Sequence, residues 1–541
     1  MNRLIIQTTM RVAMVVISGC AITPKEEQKP NILFAISDDQ SFVHTSFAGC
    51  KFINTPAFDR VAREGVYFTN CYAGSPGCAP SRSSIVTGRH HWQNEQSGQH
   101  ASGWLKKYVP YVDLLDGNGY YTGYTGKGVD PFQYYNEEFP NDSFRVENAA
   151  GKRFNDIRYP ERGTAGDERF AEGIGSVNYF ENFKKFMEKR EEGKPFYFWH
   201  GASEPHRSYE KGSWKRMGKK LEDVTVPDFL PDNNEIRGDI LDYAVEIEWF
   251  DLHLQRMINY LDSIGELDNT IIIVTSDQGM PFPRVKANCY EDGLHVPLAI
   301  SYAKGFPGGR IVEDLISFVN LAPTILELAE IKQEGMMTII GQSIVNILTS
   351  DKESVADTEK KYIFAGRERH SSSRYKNVGY PQRVIRSKDY LLVWNMHPER
   401  WPAGAPQRLK NPQTGELYPM YGIDAGGKYH TGWAFTDVDG SPAKSFLTEH
   451  YDDEDIRSYF DLAFAKRPEF ELYDVINDSY CLNNLAGKPE YEKIEDELKA
   501  ALMKELKRSE DPRIVGPDKE IFESYIRYSH MREFPKPEWA E

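Results

Sequence analysis

The apolar run Asn31–Ser37 stops abruptly at two carboxylates, Asp38 and Asp39. Its length and lack of polar alternation predict a strand buried on both faces, as in a parallel sheet covered by helices. The same grammar recurs at residues 196–199, which run into a polar stretch ending at His206, and at Thr270–Ser276, which runs into Asp277-Gln278. Ligands of open α/β sheets sit beyond the carboxyl ends of strands, so three such endings can converge on one site. Helices are predicted between them. Residues 178–194 form one, and 240–267 the clearest, with Leu241, Ala244, Ile247, Leu254, Ile258 and Leu261 near a 3.6-residue period. Another begins at Pro323, a residue suited to a first helical turn. This alternation predicts an α/β domain over residues 30–365, with a mostly parallel sheet flanked by helices. Over 366–541 the pattern is mixed and rich in Tyr, Pro and Gly, which predicts a smaller C-terminal α+β subdomain completing the pocket.

With 541 residues, 40% hydrophobic and 13% aromatic, the chain can bury a large core. Its net charge of −16 argues against a nucleic-acid binder, which needs a clustered excess of Lys and Arg. An anionic substrate would have to be held by few, well-placed cations. Residues 1–20 read as a signal peptide: Arg3 and Arg11 supply positive charge, residues 12–17 an apolar run too short to span a bilayer, and Ser18-Gly19 small residues before Cys20. Ile17-Ser18-Gly19-Cys20 resembles a bacterial lipobox, which implies lipid attachment at Cys20 and an exported protein anchored at the cell envelope, on the outer membrane or in the periplasm. An ordinary secretory signal is the alternative. Residues 21–29 are polar and predict a tether. Cys50, Cys71, Cys78, Cys289 and Cys481 are irregularly spaced, fitting neither a zinc module nor a dense disulfide framework.

Cys78 stands in Cys78-Ala79-Pro80-Ser81-Arg82, followed four residues later by Thr87-Gly88. This pattern resembles the signature of the formylglycine-dependent sulfatases, and its five-residue core is expected by chance in about one chain in a thousand of this length. The resemblance implies an alkaline-phosphatase-like fold and oxidation of Cys78 to formylglycine by a formylglycine-generating or anaerobic sulfatase-maturating enzyme. Hydrated formylglycine carries two hydroxyls on one carbon: one attacks sulfur, and deprotonation of the other expels sulfate and restores the aldehyde. A cation must stabilise its alkoxide. Asp38, Asp39, Asp277 and Gln278 offer hard oxygen donors suited to one Ca2+ rather than zinc, with the residue made from Cys78 as a further ligand. By the same resemblance, Lys127 in Thr125-Gly126-Lys127-Gly128 matches the family's Gly-Lys motif and His206 in Glu204-Pro205-His206-Arg207 its Pro-His motif. Lys286, ahead of Tyr290-Glu291-Asp292-Gly293, matches the lysine before Tyr-Glu-x-Gly. Lys127, Lys286 and Arg82 would hold the sulfate oxygens and the nucleophile, and His206 would contact sulfate or protonate the leaving atom.

Two positions depart from the family pattern. Val129 stands where most members have a second histidine, with His100 or His91 as possible replacements, and Gln278 stands where Asn or His is usual. Within the family the chain is most similar to N-sulfoglucosamine sulfohydrolases and their bacterial polysaccharide-sulfatase relatives. That likeness is carried by Asp277-Gln278-Gly279-Met280-Pro281-Phe282-Pro283 with Lys286, Pro205-His206-Arg207, Gln93-Asn94 with His100, and Tyr380-Pro381-Gln382-Arg383. It implies that His100, Arg383, His370 and Arg369 lie on the substrate side of the pocket. The implied substrate is a sulfated polysaccharide or oligosaccharide, heparan-type or algal such as ulvan, carrying O- or N-sulfate. One rival reading is a phosphodiesterase or phosphonate hydrolase of the same superfamily, which would need added His and Asp ligands for a second metal. The other is a glycan-binding lipoprotein without chemistry, a reading that Val129 sustains.

Overall fold

The computed structural model describes residues 28–138, 140–357, 359–428 and 432–540; the expected signal segment, Cys20 and most of the tether lie outside them. The main sheet contains β1 (Asn31–Ser37), β2 (Val66–Tyr72), β3 (Tyr121–Gly126), β4 (Phe196–Gly201), β5 (Thr270–Ser276), β6 (His295–Ser301), β7 (Arg310–Val312) and β8 (Ile316–Ser317). Their order is β3-β4-β1-β5-β6-β2-β7, with β8 also on β2. Only the pairings of β6 are antiparallel. Strands β1, β4 and β5 are buried along their whole length, because apolar clusters cover both faces of the sheet. Continuous apolar runs without alternation are the sequence trace of that double covering.

Register places the loops that matter. Ser37 pairs with Ser276, so Asp38 and Asp277 leave neighbouring strands side by side. Gly126 pairs with Gly201, which sets Lys127 beside the turn leading to His206. A Cβ on Gly201 would lie 1.9 Å from the Lys127 carbonyl oxygen, so this close approach requires glycine.

The longest helix, Asn234–Ser263, starts six residues before the expected 240. Asn233 caps it by accepting from the N–H groups of Glu235 and Ile236. Its polar first turns hide the start from any apolar periodicity. The helix expected over 178–194 spans Tyr179–Lys189, and that expected at Pro323 spans Leu321–Leu328. Among the described residues no helix is long and apolar enough to cross a membrane.

A second, antiparallel sheet pairs Phe470–Asp474, Tyr390–Asn395, Gln382–Arg386 and Ile363–Arg367 in that order. Ile363, Ala365, Val384, Leu391 and Val393 face Tyr72, Cys289, Tyr290 and Leu294 of the main domain. On the other face, Ile385, Leu392 and Leu472 meet Leu498, Leu502 and Leu506 of the helix Glu492–Arg508. The chain after that helix returns to the main domain, where the Tyr528 N–H donates to Ala101 O at 2.8 Å.

Candidate active site

Cys78 opens the helix Cys78–Thr87, all ten residues of which are buried. The helix is fastened to the end of β5. Ser81 Oγ donates to Asp277 O at 2.6 Å, and Arg82 Nε donates to Asp277 Oδ2 at 2.7 Å. Arg82 Nη1 donates to the carbonyl oxygens of Lys127 and Gly128 at 3.2 and 2.9 Å, while Nη2 has no partner. Arg82 is thus a clamp that fixes Asp277 and the 127–128 backbone about Cys78. At the helix end Gly88 takes a left-handed φ of 64° and closes the last turn onto Ser84 O. A Cβ there would stand 2.8 Å from Ile339, so the Thr-Gly of the signature is a helix stop.

The carboxylates of Asp38, Asp39 and Asp277 are buried and lie within 4.8 Å of one another. Asp39 adopts a left-handed φ of 81°, uncommon for a non-glycine residue and a mark of functional strain. Its N–H donates to Asp277 Oδ1 at 3.1 Å. Lys127 Nζ donates to Asp38 Oδ2, Lys286 Nζ to Asp39 Oδ2 at 2.7 Å, and Gln278 Nε2 to Asp39 Oδ1. Two oxygens in this cluster, Asp38 Oδ1 and Gln278 Oε1, are buried with no partner.

Charge is finely divided here. Burial would raise Asp38, but Lys127, His206, Arg82 and Lys286 together hold it well below the usual carboxylate range. Burial and then repulsion from Asp38 push Asp277 up to about 7. A bound divalent cation would relieve that repulsion, so the donor set fits one. Burial pushes the Cys78 thiol up to about 11 despite the pull of Lys127. For Lys286, burial is outweighed by Asp39 and Asp439, which keep the ammonium charged.

The structure brings together Cys78, Arg82, Asp38, Asp39, Asp277, Gln278, Lys127, Lys286 and His206. His206 Nδ1 donates to Arg207 O at 2.6 Å, which leaves Nε2 for the site. His100 and His370 also reach it. A Cβ on Gly77 would lie 3.2 Å from His370 Nδ1, and the two histidine rings are 4.9 Å apart. Arg369 stands behind them, donating to Ser102 Oγ and Tyr525 O.

Arg383 requires correction. It is fully buried, donating to Asp511 and Glu368 and lying over the Trp92 ring, so it braces the subdomain and has no donor left for a substrate. Neighbouring residues on a strand point to opposite faces, and at 383 the side chain points toward the helix side. His91 is likewise buried beside Arg383 and cannot replace the missing histidine. Val129 lies in the apolar core with its side chain fully buried.

Three site residues were not anticipated. Asp439 pairs with Lys286 at 3.0 Å and groups with Asp39 and His206. Asp437 takes Arg367 and Arg374. Arg527 Nη1 lies 3.1 Å from His100 Nδ1. Asp437 and Asp439 sit in an irregular stretch, Asp437-Val438-Asp439-Gly440, whose alternating acids were a faint available signal. Arg527 offered none.

Hard oxygen donors, two ammonium groups and a histidine gathered round a helix-opening residue at the carboxyl ends of parallel strands define a hydrolase of anionic esters. The chain belongs to the sulfatase family, whose model matches residues 30–331, and a second model, N-sulphoglucosamine sulphohydrolase, C-terminal, matches 285–401. It is 24% identical to N-sulphoglucosamine sulphohydrolase of Homo sapiens over 540 residues, covering 93% of this chain and 94% of that protein. It is 25% identical over 499 residues to an ulvan-active sulfatase of Formosa agariphila, covering 86% and 73%. A solved structure of a protein in complex with its substrate D-glucosamine-2-N,6-O-disulfate matches with a TM-score of 0.58 and 21% identity, over 89% of this chain and 98% of that one. The fold is the alkaline-phosphatase-like one that the sequence resemblance implied, and the chain is a sulfuric ester hydrolase.

Proposed function

We propose that the chain releases sulfate from a sulfated polysaccharide or oligosaccharide, with a formylglycine made from Cys78 by a maturating enzyme as nucleophile and one Ca2+ as counter-charge. The observation that carries this reading is the buried trio Asp38, Asp39 and Asp277 beside Cys78, with the oxygens Asp38 Oδ1 and Gln278 Oε1 left without partners. These oxygens would hold Ca2+, a donor set without nitrogen and unsuited to zinc. When bound, the ion supplies positive charge for the nucleophile's oxygen and a sulfate oxygen. Burial pushes the Cys78 thiol up to about 11, so an unmodified thiolate would not serve as the nucleophile at neutral pH.

The chain's own residues account for the rest. Lys127 and Lys286 are each tied to a different carboxylate of the trio, Asp38 and Asp39, and present ammonium charge to the sulfate oxygens. Arg82 holds Asp277 in place. His206, with Nδ1 committed to the backbone, can give a proton from Nε2 to the leaving atom. His100 and His370 line the side from which the glycan enters, with the buried Arg369 behind them. Asp39, His206 and Asp439 form a second group of possible ligands, with the added His and Asp a second metal would need, but the Lys286 ammonium already bridges Asp39 and Asp439. That arrangement supports a one-metal sulfatase over a two-metal phosphodiesterase. Export and lipid anchoring through Cys20 belong to the same proposal, supported by the lipobox-like Ile17-Ser18-Gly19-Cys20.

The test is sulfate release, with calcium present, from O- and N-sulfated glucosamine oligosaccharides and ulvan fragments. Turnover of at least one, abolished in Cys78→Ala with folding intact, is the expected result. Retained turnover in that variant, or preferred cleavage of a phosphodiester with two bound metals, would overturn the reading.

A further inference from the structure

The segment after the last long helix carries two arginines to the mouth of the site. Arg527 Nη1 lies 3.1 Å from His100 Nδ1 and donates to His370 O at 3.0 Å. Arg532 donates from its backbone N–H to Ser372 Oγ at 2.9 Å and from Nη1 to Ser372 O at 3.1 Å. Arg369, beneath them, donates to Ser102 Oγ and Tyr525 O, both at 2.7 Å. Among the described residues these three guanidinium groups have neutral partners and no carboxylate.

Among the described residues Arg89, Arg284 and Arg310 are likewise buried on neutral acceptors alone, so it is the position of Arg527 against His100 and His370, rather than the missing carboxylate, that sets this cluster apart. With a net charge of −16, carboxylates are abundant, and the buried Arg82, Arg207, Arg383, Arg386 and Arg513 are each paired with one. The nearby Asp437 is already shared between Arg367 and Arg374. Nε of both Arg369 and Arg527 is buried without a partner. Burial pushes Arg369 and Arg527 down to about 10, with Arg527 acting on Arg369 and Arg532 on Arg527 in the same direction, against the opposing pull of Asp437. Arg369 is buried and Arg527 and Arg532 are half-buried, so the like charges gathered here are better held with an anion beside them.

The cluster is also continuous with the nucleophile. His370 borders the Gly77–Cys78 peptide, His100 packs on His370, and Arg527 touches both. We infer that Arg527, with Arg369 and Arg532, forms a second anion subsite beside the reacting sulfate, and that it takes a further sulfate or carboxylate of the same glycan. A planar guanidinium matches either group with paired N–H donors. The subsite would select polyanionic chains over singly sulfated ones. This inference rests on the glycan-sulfatase reading above.

Arg527→Gln is measured on a singly sulfated aryl ester, on glucosamine 6-sulfate, on glucosamine 2-N,6-O-disulfate and on a uronate-containing monosulfated disaccharide, each over a range of NaCl. On the doubly anionic substrates kcat/KM should fall, through KM, about ten-fold further than on the aryl ester, the size of one lost charge-assisted contact. Its salt dependence should flatten. A greater loss on the disulfate identifies sulfate as the preferred ligand, and a greater loss on the disaccharide identifies carboxylate. Equal losses on every substrate, with unchanged salt dependence, overturn the inference. Should the wild-type chain release no sulfate at all, calorimetric titration of Cys78→Ala with a heparin-derived disaccharide still tests the subsite. Adding Arg527→Gln should weaken that binding about ten-fold, and unchanged binding overturns it. If Arg527→Gln fails to fold, Arg532→Gln must show the same substrate dependence in smaller degree, and its absence counts against the subsite.

Discussion

Replacing Arg383 by methionine separates a structural arginine from a substrate-reading one. Arg383 donates from Nε to Asp511 Oδ2 at 2.5 Å, from Nη2 to Glu368 Oε1 at 2.7 Å and from Nη1 to Gln382 O at 2.9 Å, in a region with no solvent exposure. Methionine keeps much of the stem that packs on Trp92 and removes the charge. Glu368 keeps Arg513, which donates to both of its oxygens, so it stays neutralised. Asp511 fares worse: Oδ1 keeps the Arg513 N–H at 3.0 Å, but Oδ2 loses the strong donor it has. Breaking a buried pair from one side costs about 3–5 kcal/mol, and the surviving Arg513 puts this case near the lower limit, about 3 kcal/mol. Denaturant unfolding of wild type and variant reads that loss as a lowered midpoint at unchanged slope. Adding Asp511→Asn should recover part of it, because the carboxylate left alone is then gone. Steady-state desulfation should show kcat and KM within about two-fold of wild type. An unaltered unfolding midpoint with a large rise in KM would refute the reasoning and return Arg383 to the substrate.

Three further outcomes follow from the same geometry. Val129→His should not restore a second histidine contact: the site is apolar and closed, so the variant should lose about 2 kcal/mol or more of stability, read by denaturant unfolding, with no gain in kcat. Lys286→Gln should lower kcat by about 10²–10³ with a smaller effect on KM, since it removes charge aimed at the transition state; an effect on KM alone would place the lysine in ground-state binding only. Glu368 is pulled down to about 2 because Arg513 and Arg383 outweigh the opposing effect of burial. A depressed carboxylate lends stability above its unfolded pKa near 4.5 and loses it as pH falls toward 2, here about 3 kcal/mol, so the acid limb of the stability curve should flatten in Glu368→Gln.

Much of the catalytic floor was legible because it lies at the ends of strands that announce themselves. The runs 31–37 and 270–276 are apolar without interruption, and the residues that follow them are necessarily neighbours once the strands pair in register. The signature around Cys78 was readable for a second reason, its resemblance to the sulfatase pattern, and the structure shows what Ser81, Arg82 and Gly88 do there: the first two hold Asp277 and the third ends the helix. The rim was harder to read. Arg383 and Arg369 both lie in arginine-containing stretches of the C-terminal region, and only tertiary structure distinguishes a strand residue turned to the helix side as a buried brace from a loop residue behind the mouth. Asp439 and Arg527 come from irregular segments, where no period of 2 or 3.6 fixes direction and where long-range folding alone decides what they meet. The substitution at Val129 was visible in sequence, but its consequence was not, because core or cleft is settled by the tertiary packing of a loop.

The most direct measurement of the central claim is the mass of the peptide containing residue 78, in protein matured in a host that carries the modifying enzyme. Conversion of Cys78 to formylglycine lowers that mass by about 18 Da, and the extent of the loss should track sulfate release per molecule. A peptide carrying only the unmodified thiol, in protein that nonetheless turns over sulfate at full rate, would contradict the account.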